Sequence, residues 1–343
     1  MGGQRAKWYL KEIDFSISPM KLFFQTLLLA LSLGFAFTTS AQEQAYPHKL
    51  VRIVVPNGAG GPTDLIARIM AQKLSESMGQ TFIVENRLGA GGVVGTEAVS
   101  RALGDGYTLL FSASGAMVIS PHLTKKLPYN GYMDFSPIAN AASSPMLLAV
   151  GTQSGIQSLN DLIGQAKQKP GQFNYSTAGI GTPPHLAAEL LKSSTGIDVV
   201  HVPYKDVPQS HAALMSGEVT FMFGQPNIAN SVRTGKVKIL AITTPKRSSL
   251  LPEVPTLSEV GVPGFEVVPW YGLFAPAKTP DDIVQRLNAE LQKLQNNKDY
   301  VERMKSLGFE IPPTHSPAEF NQFLSREYAK WQKMITQAAI KVD

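Results

Sequence analysis

The chain has 343 residues, 43% of them apolar and 17% charged, with a formal net charge of +5 and no cysteine. The missing cysteines exclude disulfides, thiolate metal sites and cysteine nucleophiles. Four basic residues (Arg5, Lys7, Lys11, Lys21) and two acidic ones (Glu12, Asp14) precede residue 41; the later charges are interspersed without a basic run, so no nucleic-acid partner is expected.

Residues 20–45 read MKLFFQTLLLALSLGFAFTTSAQEQA. A lysine leads an apolar run from Leu22 to Phe37, and small residues follow to Ala41. This is the three-part pattern of a secretory signal peptide. The run is about 16 residues, short of the roughly 20 that span a bilayer. Residues 1–19 read as an upstream extension before a natural-looking start at Met20. Cleavage would leave a mature chain from about Gln42, exported to the periplasm and not spanning the membrane.

Strand and helix patterns alternate from residue 46. VRIVVP is a strand, and Asp64 to Met78 fits a helix stopped by Gly79. TFIVEN, a helix from about Thr96 and the strand YTLLFSA complete a βαβαβ opening, which predicts a parallel sheet covered by helices. PMLLAV, LNDLIGQAKQKPG, FNYSTAG, PPHLAAELL, VVHVPY, QSHAALMSGEV, TFMFG and KILAIT repeat that grammar over about 146–262. The C-terminal part is read as largely helical. Thr279 is a candidate cap with Pro280 at the first helical position. Ser316, Pro317 and Glu319 form a capping box before a helix towards Ala339, with Trp331 and Ile335 on its buried face. Two α/β lobes with a helical return predict a clamshell that holds a ligand between them.

Glycine-rich loops between strand and helix are the candidate sites. NGAGGPTD, with Asn57, Gly58, Ala59, Gly60, Gly61 and Thr63, can expose main-chain N–H groups at a helix start and so cradle an anion. The alternative is a plain βα turn with Thr63 or Asp64 as cap. Asp64 suits a capping role, since like charges repel. SASGA supplies Ser112, Ser114 and Gly115 at the end of a strand, where open α/β sheets bind ligands. STAGIGT (Ser176, Thr177, Ala178, Gly179, Gly181, Thr182) is the second lobe's version, with His185 in the following helix for packing or capping. GAGGVVG, from Gly89 to Gly95, reads as a structural turn: its glycines miss the dinucleotide spacing and no acidic residue follows about 20 positions on. The six histidines are scattered, and no nucleophile elbow, zinc motif or P-loop is present. No cofactor, metal or catalytic residue is expected.

These residues resemble the extracytoplasmic solute receptors of tripartite tricarboxylate transporters, the Bug family. The segments that carry the likeness run from Tyr46 onwards: VVPNGAGGPTD, VENRLGAGG, DGYTLL, KLPY, NYSTAG, VHVPYK, LPEVPT and WYGLFAP. The resemblance implies a two-lobed periplasmic-binding-protein fold of type II kind. Lobe 1 would be 42–145 with 263–343, and lobe 2 would be 146–262, with crossings near 143–148 and 262–268. It also implies a carboxylate ligand held by the loops at Asn57–Thr63, Ser112–Gly115 and Ser176–Thr182, with Gln225, Tyr204 and Trp270 as further candidates. The expected partners are a small carboxylate and cognate permease subunits, and the expected state is a monomer. Gly224 and Gln225 stand where relatives that bind amino acids can carry an acid, which predicts a ligand without an amine. Ile180, Pro183 and Pro184 replace commonly polar residues and predict a more apolar site. Signalling through a membrane sensor, or a secreted hydrolase using the same cleft, are the alternatives.

Overall fold

A computed structural model of the chain describes residues 45–124 and 126–337, together with Met20. Apart from Met20, the expected export signal at 20–41 lies outside the described residues. Among the described residues no helix is long and apolar enough to cross a membrane.

Two five-stranded sheets form the frame. β1 (Val51–Val55) opens the first. Its side chains alternate: Val51, Ile53 and Val55 pack with Ile66, Met70 and Leu74 of α1 (Pro62–Met78), while Val54 faces Val99. Gly79, at φ 69°, ends α1 in a left-handed cap on the Ser75 carbonyl. β2 (Phe82–Asn86), α2 (Val93–Ser100) and β3 (Thr108–Ala113) complete the opening unit, and β4 (Phe135–Ser143) forms the far edge.

The second sheet takes β5 (Leu147–Gly151), β6 (Phe173–Thr177), β7 (Val199–Pro203), β8 (Phe221–Gly224) and β9 (Val237–Ile242). Its helices are α3 (Leu159–Gln168), α4 (Pro183–Thr195) and α5 (Val207–Ser216). The chain then returns to the first sheet as β10 (Trp270–Pro276), followed by α6 (Asp281–Gln295), α7 (Lys298–Ser306) and α8 (Pro317–Gln337).

The strand orders are β2-β1-β3-β10-β4 and β7-β6-β8-β5-β9. In each, three parallel strands are followed by two antiparallel pairings. Both sheets are therefore mixed, with parallel blocks where helical crossovers operate. The fourth strand of each, β10 or β5, arrives from the other sheet without such a crossover and runs against its neighbours. Both are buried at every residue. Hydrogen bonds tie the two connecting stretches together: Thr243 N–H donates to the Met146 carbonyl and Ser144 N–H to that of Pro269, while the Thr243 hydroxyl donates to Val267 at 2.6 Å.

The C-terminal helices follow their capping chemistry. The Ser316 N–H donates to the Glu319 carboxylate at 2.8 Å, and the Glu319 N–H donates back to the Ser316 hydroxyl at 3.2 Å. Trp331 and Ile335 are buried as expected. At the preceding helix the reading shifts by one residue. Pro280 is extended (φ −54°, ψ 143°) and occupies the cap position, so α6 starts at Asp281 and Thr279 does not cap it. The GAGGVVG loop is structural: Gly89, Gly91 and Gly92 have positive φ, and a Cβ on Gly95 would lie 2.8 Å from the Cα of Pro56.

Candidate functional site

A cavity of about 170 Å³ lies where the carboxyl ends of β1, β3, β6 and β8 meet the start of β10. Such strand ends are where open α/β sheets hold ligands. Asn57, Thr63, Thr177, Ala178, Thr182 and Gln225 line it, among the expected residues. None of its lining residues is Asp, Glu, Lys or Arg. Pro62, Pro183, Pro184, Val207, Met222, Phe223 and Pro269 make much of the wall apolar. A larger depression of about 320 Å³ shares Pro62 and Gln225 with it and extends over Gly60, Leu250, Lys305 and Gly308. The smaller cavity is the better candidate, because loops at strand ends of both sheets close it.

On the first sheet the cradle is the turn into α1. Gly61 is the helix cap and offers no side chain, and Pro62 fills the first turn. The first N–H groups of a helix have no intrahelical acceptor, and Thr63, in that first turn, lines the cavity. Asp64 does not cap its own helix start. Its carboxylate, 2% exposed, accepts from the Gly60 N–H, from Arg68 Nε and from Asn86 Nδ2, each at 2.9 Å. Burial alone would push this carboxyl up; the bonds from Arg68, Gly60 and Asn86 together outweigh it and hold it below its ordinary value. Asn86 also donates to the Asn57 carbonyl at 3.0 Å. The negative charge thus braces the loop from behind.

The second sheet contributes differently. The Thr177 hydroxyl donates to the Gly179 carbonyl at 3.1 Å, and that of Thr182 donates to the same carbonyl at 2.8 Å. These hydroxyls hold the loop's shape, with Gly179 and Gly181 at φ 133° and 75°. Pro183 and Pro184 open α4 and have no N–H, so this helix start is poor in donors. An anion is better served at the α1 end, and an apolar body at the α4 end.

The remaining expected residues do not line this cavity. Gly58, Ala59 and Gly61 shape the α1 turn, with the Gly61 N–H on the Gly58 carbonyl at 3.4 Å. Gly60 faces the neighbouring depression. Ser112 and Ser114 are buried at the end of β3 and just beyond it. Gly115 starts a π-helical turn to Ile119, and a Cβ there would lie 3.6 Å from Pro183. Ser176 accepts from the Ser210 hydroxyl at 2.8 Å. Tyr204 donates to Glu218 at 2.7 Å. Trp270 is 2% exposed, and its indole donates to Glu327 at 3.1 Å, away from the cavity.

Three polar lining residues were missed from sequence: Tyr271, His211 and Ser210. Tyr271 is buried, and its hydroxyl accepts from Gln225 Nε2 at 2.6 Å, a bond that does not consume its own proton. Burial pushes that hydroxyl further up, so it is neutral. His211 lines the cavity from α5, spaced one helical turn from Val207. The i, i+3, i+4 set Val207, Ser210, His211 was the available clue.

Behind the second loop lies a histidine pair. The His185 ring is 4.4 Å from that of His201, which stacks 4.9 Å from Tyr175. The Gly181 N–H donates to His185 Nδ1 at 3.3 Å, and His201 Nε2 lies 2.7 Å from the Thr177 hydroxyl. Burial, with repulsion from His185, pushes His201 down to about 4 against a partial upward pull from Glu189. A folded-state value below the unfolded one, ~6.5, favours the neutral ring. That stability is present above pH ~6.5 and is lost as pH falls towards 4. Discounted for partial exposure, the loss is about 1–2 kcal/mol. Urea unfolding at pH 7 and 4.5 measures it: H201Q should lose less stability than wild type over that interval, and equal losses would show that His201 does not carry the effect.

Among the described residues no cluster of His, Asp or Glu could hold a metal ion. A family model described as tripartite tricarboxylate transporter family receptor matches residues 66–340. BugT of Bordetella pertussis is 32% identical over 311 residues, 90% of this chain and 94% of the relative. Two solved structures are also similar. An R. palustris protein with adipate aligns at TM-score 0.82 and 32% identity, covering 86% of this chain and 99% of its own. MatC from Rhodopseudomonas palustris with bound malate aligns at TM-score 0.78 and 33% identity, covering 84% and 100%.

Proposed function

The chain belongs to the family of tripartite tricarboxylate transporter receptors, and from that membership we propose that it captures a small carboxylate without an amine, in the periplasm, and delivers it to a membrane permease. The observation that carries this reading is the cavity between the α1 turn and the loop before α4. It combines uncapped helix N–H groups with neutral, largely apolar walls. Backbone donors at a helix start suit an anion. With no acidic side chain lining it, the cavity offers no opposite charge to an ammonium group. Two similar proteins whose structures hold adipate and malate support the carboxylate class. In this reading each sheet is the core of one lobe, joined by the stretches near 143–148 and 262–268, and closure dries the ligand's hydrogen bonds and strengthens them. The role is capture rather than catalysis.

A thermal-shift panel tests it: di- and tricarboxylates, aromatic acids, amino acids and the matching neutral amides, each against the chain from Gln42. A ligand at 100 times its Kd adds about 2.7 kcal/mol. An acid should raise the midpoint where its amide does not, and succinate should outdo aspartate. An amide that matches its acid, or aspartate binding the tighter, would contradict the proposal.

A further inference from the structure

Thr182 occupies the cap position of α4, but its hydroxyl is spent on the Gly179 carbonyl and gives the helix no cap bond. Pro183 and Pro184 follow at the first helical positions. The third residue, His185, reaches back: its Nδ1 accepts the Gly181 N–H at 3.3 Å, much as a capping-box glutamate reaches back to an N-cap N–H. An imidazole nitrogen can accept there only while it carries no proton. Protonation would turn the acceptor into a donor facing an N–H. It would also place a cation in the first turn of a helix, where the dipole opposes it. The His185 side chain is 6% exposed, and the His201 ring lies 4.4 Å away. The other ionisable groups facing the pair are tied to one another: Glu189 of α4 accepts from Tyr175 of β6 at 2.6 Å and pairs with Lys192 of α4 at 2.9 Å. Burial holds His185 below its ordinary value, against an upward pull from Glu189 that Lys192 opposes. The loop that His185 grips supplies Thr177, Ala178 and Thr182 to the cavity wall, although His185 does not line the cavity itself.

We propose that His185 is a positioning residue for the binding loop: neutral, it holds residues 178–182 against the ligand; protonated, it lets them go, so that acid weakens binding. With the loop swung away the ring is wetter and titrates nearer ~6.5; with the loop in place it is held lower. Binding therefore expels a proton from His185. Affinity is full above pH ~6.5 and falls as pH drops towards the lower, closed-state value. In the closed protein His201, at about 4, and Asp64, below its ordinary value, take up their protons in stronger acid. The inference rests on the carboxylate reading only for the ligand used to test it.

Calorimetric titration with succinate, malate, adipate and benzoate at pH 7.5 and 5.5 tests it. For whichever binds tightest, the weakening between those pH values should be about fivefold larger in wild type than in H185N. The ligand's own protonation is common to both proteins and cancels. H185L has no acceptor and should bind more weakly than wild type at pH 7.5. H185N, whose Oδ1 can stand in for Nδ1, should recover most of that loss. Equal pH responses in wild type and H185N, or H185L binding as wild type does at pH 7.5, would overturn the inference. A readout without ligand separates it from the carboxylate reading. The Gly181 amide, its exchange corrected for the intrinsic effect of pH, should be less protected at pH 5.5 than at 7.5 in wild type and equally protected in H185N. Wild-type protection that does not change would overturn the inference even if a variant fails to fold. Binding of none of the four acids would sink the carboxylate reading and leave the Gly181 amide to decide this one.

Discussion

Replacing Glu327 by alanine lowers the free energy of unfolding by about 3–5 kcal/mol, the cost of breaking a buried charged network from one side. Glu327, on α8, is 8% exposed. Its Oε2 accepts from the Trp270 indole at 3.1 Å and the Trp331 indole at 3.2 Å. Its Oε1 accepts from Lys330 at 3.2 Å, and Lys330 also pairs with Glu266 at 2.7 Å. Alanine leaves two buried indole N–H groups without an acceptor and opens a cavity beside them. It also removes the polar tie between α8 and Trp270 of β10, the fourth strand of the first sheet. Glutamine retains one acceptor oxygen and should cost less than alanine. Urea denaturation of both variants measures the difference. A loss below about 1 kcal/mol for alanine would show that the indoles find other partners.

The second large effect is at Asp64. Alanine there removes the common acceptor of Gly60, Arg68 and Asn86. The expected loss of stability is about 2–4 kcal/mol, because the Gly60 N–H and Asn86 amide lose a charged partner in a buried setting. Binding should suffer as well. The loop from Asn57 to Thr63 holds its shape through these bonds, and a loosened cradle must be ordered by the ligand itself. Affinity for the best acid should fall about tenfold or more. D64N keeps the shape but not the charge and should fall between. The pH response follows from the lowered carboxyl value. The stabilisation is present above the unfolded value, ~3.9, and is lost as pH falls through the folded one. Wild type should lose stability below that point, and D64N should lose less. Unchanged acid binding by D64A would mean that the loop is held by other contacts.

Local grammar made one part of the molecule legible in the sequence. VRIVV alternates by two, and NGAGGPTD carries the turn glycines and a first-turn proline. The inner face of α1 is less legible: helical spacing also allows Leu65 and Ile69 with Leu74, but the buried set is Ile66, Met70 and Leu74, and Leu65 is 37% exposed. The Ser316 capping box reads off four residues. What depends on distant partners did not show. β10 enters the first sheet between β3 and β4, more than a hundred residues after either, so WYGLFAP gave no hint of its neighbours. β4, FSPIANAAS, is rich in small residues and contains Pro137, which masks a strand pattern. The same distance hid part of the site. Tyr271 reaches the cavity only because β10 returns, and its neighbour Trp270, the sequence candidate, points to the other face and packs against α8. Successive strand residues face opposite ways, so a reading one position off selects the wrong aromatic. His211 was visible as a residue but not as a lining group, since that depends on which face of α5 turns inward.

The proposed function requires one carboxylate seated between the α1 turn and the loop before α4. A crystal structure with the tightest-binding acid from the panel tests it most directly. Carboxylate oxygens should lie within hydrogen-bond reach of the first N–H groups of α1, beside Thr63, with the ligand's body against Pro183 and Phe223. An acid seated instead in the neighbouring depression over Leu250, Lys305 and Gly308 would contradict it.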